Sequence, residues 1–175
     1  KRQVINLTPD SFSDGGKFIC PKTLKTDRNK VLKEIEKMES GGAAFIDIGA
    51  ESSRPSASLI SVAEELDRLM PILEDIKNIN SVVSIDSSKS EVIFEAIKNG
   101  VDFINDINSL KDHKSLELVR EHNLPVCIMH KEKNFSKNSI CSEIGNFFKK
   151  KILELSKNGI SKEKIILDPG FGYDK

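Results

Sequence analysis

The chain has 175 residues, 27 basic and 27 acidic, so its formal net charge is zero. With 38% hydrophobic and 31% charged residues it reads as one soluble globular domain with room for a sizeable core, not as a disordered chain. The neutral balance argues against a nucleic-acid binder that relies on a positive field, and no apolar run approaches the ~18 residues of a membrane span.

In chain order, an apolar extended run at 3–7 precedes a helical pattern at 28–39, where Val31, Leu32, Ile35 and Met38 recur at helical spacing. A strand at 44–48 leads to a helix at 62–76 that carries Leu66, Leu69, Ile72, Leu73 and Ile76. Strand 82–85, helix 91–98, strand 102–105, helix 115–121, strand 126–129, helix 144–156 and strand 165–167 follow. The strands are rich in Val and Ile and nearly continuous in apolarity, as buried parallel strands are. The pair Gly41-Gly42, and also Gly100 and Gly159, sit just past helices, where a left-handed cap favours glycine. This alternation predicts an α/β chain of parallel strands joined by crossover helices. No composition break marks a domain boundary, and the polar stretch 131–139 reads as a long loop.

The N-terminal KRQVINLTPD has no long apolar region after its basic residues, so it is not a secretory signal. Cys20, Cys127 and Cys141 form no C-x-x-C pair and their odd number suggests no disulfide framework, so reduced thiols in the cytoplasm are expected.

The informative pattern lies at the strand exits. These carry Asn6, Asp47 with Glu51 shortly after, Asp86, Asn105 with Asp106, His130, and Asp168. Parallel strands exit on one face, and in α/β folds that face carries the site. Asp and Asn after a strand also cap helices and make turns. Serine, threonine or glycine would serve those purposes equally, so six polar exits out of six point to a ligand.

Two exit loops stand out. Residues 8–18 are long and polar, with Phe12 as a candidate aromatic wall. Residues 49–57 contain Arg54, whose fork suits a carboxylate or phosphate. The glycine-rich turn after Asp168 matches neither a dinucleotide fingerprint nor a phosphate loop, and the three histidines lack zinc spacing. Carboxylates and amides with few histidines suit Mg²⁺ and ligands rich in N–H donors.

Six motifs in order carry a family resemblance. N-L-T-P-D-S-F-S-D-G-G (6–16), I-D-I-G-A-E-S-S-R-P (46–55), S-I-D-S-S-K (84–89), I-N-D-I (104–107), P-V-C-I-M-H (125–130) and L-D-P-G-F-G-Y (167–173) together resemble bacterial dihydropteroate synthase. The resemblance implies a (β/α)8 TIM barrel, of which residues 1–175 would be a single, incomplete pterin-binding domain holding the first six β/α units. It implies condensation of 6-hydroxymethyl-7,8-dihydropterin pyrophosphate with p-aminobenzoate, giving 7,8-dihydropteroate and pyrophosphate in folate biosynthesis. Asn6 would bind Mg²⁺ together with the pyrophosphate. Asp86, Asn105 and Asp168 would grip the pterin. Phe12, Asp14, Ser53, Arg54 and Pro55 would lie around p-aminobenzoate and the reacting carbon, with Ser53 standing where threonine is usual. Asp47 would also stand at the site. Asp86, Asp168 and Asp14 would stabilise the pterin methylene cation left by early loss of pyrophosphate. A cytoplasmic protein, homodimeric at full length and without nucleic-acid or membrane partners, is expected.

The chain departs from the family pattern at Gln3, Ser56 and Asp174, where glycine is usual, and in the H-K-E-K of its fifth loop. The seventh-strand S-R-K and eighth-strand R-x-H are absent from the sequence. A fragment of a longer synthase is the expected explanation, and the given chain by itself is expected to be inactive. A non-catalytic remnant that at most binds pterin or phosphate weakly is the alternative. A related barrel that transfers methyl groups from folate to a corrinoid is the third reading, against which the two exit loops argue.

Overall fold

Apolar β-branched runs that alternate with helical segments are the pattern of a parallel sheet covered by its crossover helices. The computed structural model, which describes residues 1–9, 16–20, 23–52, 59–131 and 140–171, has that arrangement. Six strands, β1 (Arg2–Asn6), β2 (Phe45–Gly49), β3 (Val82–Asp86), β4 (Phe103–Asp106), β5 (Val126–Met129) and β6 (Ile165–Asp168), form one parallel sheet. Between them run α1 (Arg28–Ser40), α2 (Val62–Leu73), α3 (Ser90–Lys98), α4 (His113–Glu121) and α5 (Ile140–Lys157).

The strand order in the sheet equals the order in the chain. A doubly wound sheet reverses direction at a switch point, whereas a barrel wall does not. The fold is therefore a run of six consecutive strands, with five intervening helices, from an α/β barrel. Among the described residues, β1 and β6 do not pair with each other.

One face of the sheet supplies the main core. Ile5, Ile46, Ile48, Val83, Ile85, Ile104, Val126 and Ile128 have no solvent exposure and pack on Val31 and Ile35 of α1, Leu69 and Ile72 of α2, Val92 and Ile93 of α3, and Val119 of α4. Each such side chain contributes about 1.5–3 kcal/mol of transfer free energy. Caps fix the helix starts: Asp27, Ser61 and Asp112 accept from the backbone N–H of Lys30, Glu64 and Ser115. Gly42, Gly100 and Gly159 take positive φ after α1, α3 and α5, where a side chain would be strained.

Two helices differ from the periodicity. Helix α2 stops at Leu73 and continues as a 3₁₀ turn at Ile76–Asn78. There Asp75 is pinned by Arg28 of α1, with Nε to Oδ2 at 2.6 Å and Nη2 to Oδ1 at 2.7 Å. Ile76, which keeps the apolar spacing of the helix, lies in this turn and is buried. Helix α5 begins at Ile140, a turn before the apolar pattern starts at residue 144.

Candidate functional site

Strand alternation turns the isoleucines of the core toward the helices and every second residue toward the opposite, inner face. The register sets Asn6, Gly49, Asp86, Asn105, Cys127 and Ile166 side by side across all six strands. One inward rung earlier lie Val4, Asp47, Ser84 and Phe103. Phe45 and Phe103 meet edge-on, with ring centroids 5.1 Å apart, and make an apolar floor near the strand starts.

Asp47 is the centre of a polar network on this floor. It is 1% exposed. Its Oδ2 accepts from Arg2 Nη2 at 2.6 Å and from Asn105 Nδ2 at 3.2 Å, and its Oδ1 accepts from Ser84 Oγ. Burial works against the charge on Arg2, but Asp47 beside it holds the guanidinium above its ordinary value. Asp47 is the third residue of β2 and not its exit, as the apolar run to residue 48 suggests. The strand continues to Gly49, and Asp47 sits one rung below the rim.

Asp86 ends β3 at the rim. Burial, and then the nearby charge of Asp47, push its pKa well above the ordinary carboxylate value. It accepts no hydrogen bond from another described residue. Gly49 on the neighbouring strand leaves room beside it: a Cβ there would stand 3.3 Å from Asp86 Cβ and 3.6 Å from its Oδ2. Asp86 is thus a carboxyl with no donor among the described residues, at the centre of a polar face. In its ionised form such a group can accept two N–H donors from one ligand edge.

Asn6 ends β1 and Asn105 lies on β4, on the same rung as Asp86. Asp168 ends β6, opposite Met129 of β5, and its Oδ1 accepts the Gly170 N–H at 2.7 Å. Its charge reaches the inner face: the Cys127 thiol is pushed up to about 11 by burial and then by Asp168. The structure therefore brings Asn6, Asp47, Asp86, Asn105 and Asp168 to one side of the sheet. Phe12, Asp14, Ser53, Arg54 and Pro55 lie outside the described residues.

Two polar exits face away. Asp106 follows Asn105, so alternation turns it outward; it accepts from Ser88 Oγ and from the N–H groups of Asn108 and Leu110, both at 2.8 Å. It orders the turn before α4. His130 is fully buried against α5, its ring 4.7 Å from Phe147 and edge-on to it.

Arg2, Gly49, Ser84 and Cys127 complete the inner face, and no role was read for them in the sequence. Strand parity is the signal that finds them. Arg2 shares its parity with Asn6, and Ser84 with Asp86.

The comparisons with known proteins agree with one another. A family model described as pterin binding enzyme matches residues 2–175. Dihydropteroate synthase of Escherichia coli K12 is 41% identical over 98% of this chain and 61% of that protein. The enzyme of Haemophilus influenzae is 40% identical over 98% of this chain and 63% of that protein. Among solved structures, Yersinia pestis dihydropteroate synthase in a sulfonamide drug complex superposes with a TM-score of 0.89 at 38% identity, over 99% of this chain and 64% of that one. The Xanthomonas albilineans enzyme with 4-aminobenzoic acid superposes with a TM-score of 0.86 at 32% identity, over 99% of this chain and 62% of that one. The chain thus spans 61–63% of the length of these two curated relatives.

Proposed function

Since this chain belongs to the pterin-binding enzyme family, we propose that it carries the pterin-binding part of a dihydropteroate synthase. The reaction would join 6-hydroxymethyl-7,8-dihydropterin pyrophosphate to p-aminobenzoate and release pyrophosphate. The observation that carries this reading is the Asp86 carboxyl, without a donor from the described residues, between Gly49 and Asn105. The pterin edge presents adjacent N–H donors like a guanidinium, and a carboxylate accepts two of them.

Such donors would pull the raised pKa of Asp86 back down, because hydrogen bonds to the charged form favour it. The ionised Asp86, with Asp168 and Asp14, would then stabilise the cation that forms as the carbon–oxygen bond to pyrophosphate breaks. The amine of p-aminobenzoate attacks that carbon and loses a proton. Phe12, Ser53, Arg54 and Pro55 are proposed for the second substrate. Asp47 is proposed to orient Asn105, to which it is hydrogen-bonded.

Mg²⁺ is proposed as the cofactor. Among the described residues no group of three His, Cys, Asp or Glu side chains could hold a metal. Mg²⁺ bound mainly through phosphate oxygens and water needs only one or two protein oxygens. The Asn6 amide oxygen, on the rim rung and bonded to no other described side chain, fits that role. The ion would neutralise charge on the departing pyrophosphate. A homodimer in the cytoplasm is proposed by analogy with the family; among the described residues no helix is long and apolar enough to cross a membrane.

The test is an assay of protein made from its native gene, after its intact mass is measured. Dihydropteroate should form only with both substrates and should stop when EDTA removes Mg²⁺. Pterin binding without product formation would favour a non-catalytic remnant, and pterin chemistry indifferent to p-aminobenzoate would favour methyl transfer.

A further inference from the structure

We infer that Lys89 is a positioning residue for the second substrate, acting through the neck of the connection between β2 and α2; this rests on the synthase reading above. Three elements meet at its ammonium. Lys89 Nζ donates to Glu51 Oε1 at 2.9 Å and to Glu65 Oε2 at 2.5 Å. Glu51 follows β2, Glu65 is in the first turn of α2, and Lys89 immediately precedes α3.

Glu51 Oε1 also accepts the backbone N–H of Ile60 at 2.9 Å. One carboxylate therefore joins the two ends of residues 51–60. Arg68 of α2 adds a second tie, with Nη1 donating to the Ala50 carbonyl at 2.9 Å. Arg54 and Pro55, proposed for p-aminobenzoate, lie in sequence between Glu51 and Ile60.

The cluster differs from a surface ion pair. The Lys89 and Glu51 side chains are 22% exposed and that of Glu65 is 0% exposed. Exposed pairs contribute little, whereas a buried carboxylate depends on its partner. Glu65 Oε1 meets no donor among the described residues, so part of its desolvation cost stays uncompensated. An apolar residue in that place would often serve stability as well or better. What the charge secures is the location of the Lys89 ammonium. Burial pulls the pKa of Lys89 down, but the bonds it donates to Glu65 and Glu51, with their charges, outweigh it and the net shift is upward.

Lys89 also stands close in sequence to Asp86, the proposed pterin acceptor. Only Ser87 and Ser88 separate it from Asp86. Both serines are tied: Ser87 Oγ accepts the Lys89 N–H at 3.2 Å, and Ser88 Oγ donates to Asp106. This short braced connection joins the proposed pterin acceptor to the neck of the segment proposed for the second substrate.

The test compares the native-gene protein with Glu51→Ala, Lys89→Met and Lys89→Arg. Glu51→Ala keeps the buried Lys89–Glu65 pair and so protects the fold if Lys89→Met is too disruptive. Hydrogen exchange read by mass spectrometry should show the Ile60 amide exchanging about tenfold faster in Glu51→Ala and Lys89→Met. The KM for p-aminobenzoate should rise by about fivefold or more, with the KM for the pterin substrate within about twofold, and Lys89→Arg should recover most of the loss. Unchanged exchange at Ile60 in Glu51→Ala would overturn the neck. An equal rise in both KM values would leave Lys89 a merely structural residue and overturn its positioning role. If the unaltered protein forms no dihydropteroate, the synthase reading fails by itself, and the Ile60 exchange still decides whether this cluster holds the neck.

Discussion

Arg2 Nη2 donates to Asp47 Oδ2 at 2.6 Å, so the buried carboxylate at the floor of the inner face carries its own counter-ion. The Arg2 side chain is 46% exposed and that of Asp47 2%, so the pair lies between a surface bridge and a buried one. Solvent screening on the Arg2 side reduces its strength.

Arg2→Met should therefore cost about 1 kcal/mol, less than a fully buried charge-assisted bond. For a chain of this size that is a fall of about 2–4 °C in Tm. Asp47→Asn in the same background should be nearly neutral, because the charge that Arg2 compensates is gone. A double-mutant cycle by thermal unfolding measures this coupling, and strict additivity would contradict it.

Asp86 makes a pH prediction. Its folded pKa is raised by burial and by Asp47, so the folded state binds this proton more tightly than the unfolded chain does. The associated stability is present below the ordinary carboxylate range and is lost as pH rises through the folded value. Asp86→Asn should thus stabilise the free protein at pH 8, and the gain should shrink as pH falls toward 4. The same substitution should abolish pterin binding, and pterin affinity of the unaltered protein should grow as pH rises and Asp86 ionises. Denaturant unfolding and titration calorimetry at several pH values check both halves.

Gly49 bears on the same carboxyl by shape alone. Its φ is ordinary, so alanine there is not strained in the backbone. A Cβ 3.3 Å from Asp86 Cβ would still force Asp86 to shift. Gly49→Ala should weaken pterin binding by about tenfold while costing about 1 kcal/mol of stability or less. A larger effect on stability than on binding, compared by calorimetry and thermal melts, would speak against this account.

Cys127 should be inert. It is buried and its thiol is pushed up to about 11, so little thiolate exists at pH 8. Iodoacetamide should label the exposed Cys141 and leave Cys127 unmodified until the protein unfolds. Peptide mapping by mass spectrometry distinguishes the two.

The elements were legible because their signals are local. The strands at 82–85 and 126–129 are apolar β-branched runs and lie within one residue of β3 and β5. The end of α2 was not legible, because Ile76 keeps the helical apolar spacing while lying in a 3₁₀ turn beyond it. Asn6, Asp86 and Asp168 were found as polar ends of apolar strands, and each ends its strand. Asp106 gave the same signal and faces the other way, since one step along a strand reverses the side chain.

The order of strands and helices, the polar rim and the family thus follow from the sequence by itself, through periodicity and motifs that neighbouring residues complete among themselves. The pairing of Arg2 with Asp47, 45 residues apart, and the meeting of Lys89 with Glu51 and Glu65 were decided only by the tertiary structure. Those contacts depend on strand register and crossover geometry, which bring distant charges within hydrogen-bond reach and remove the water that would screen them.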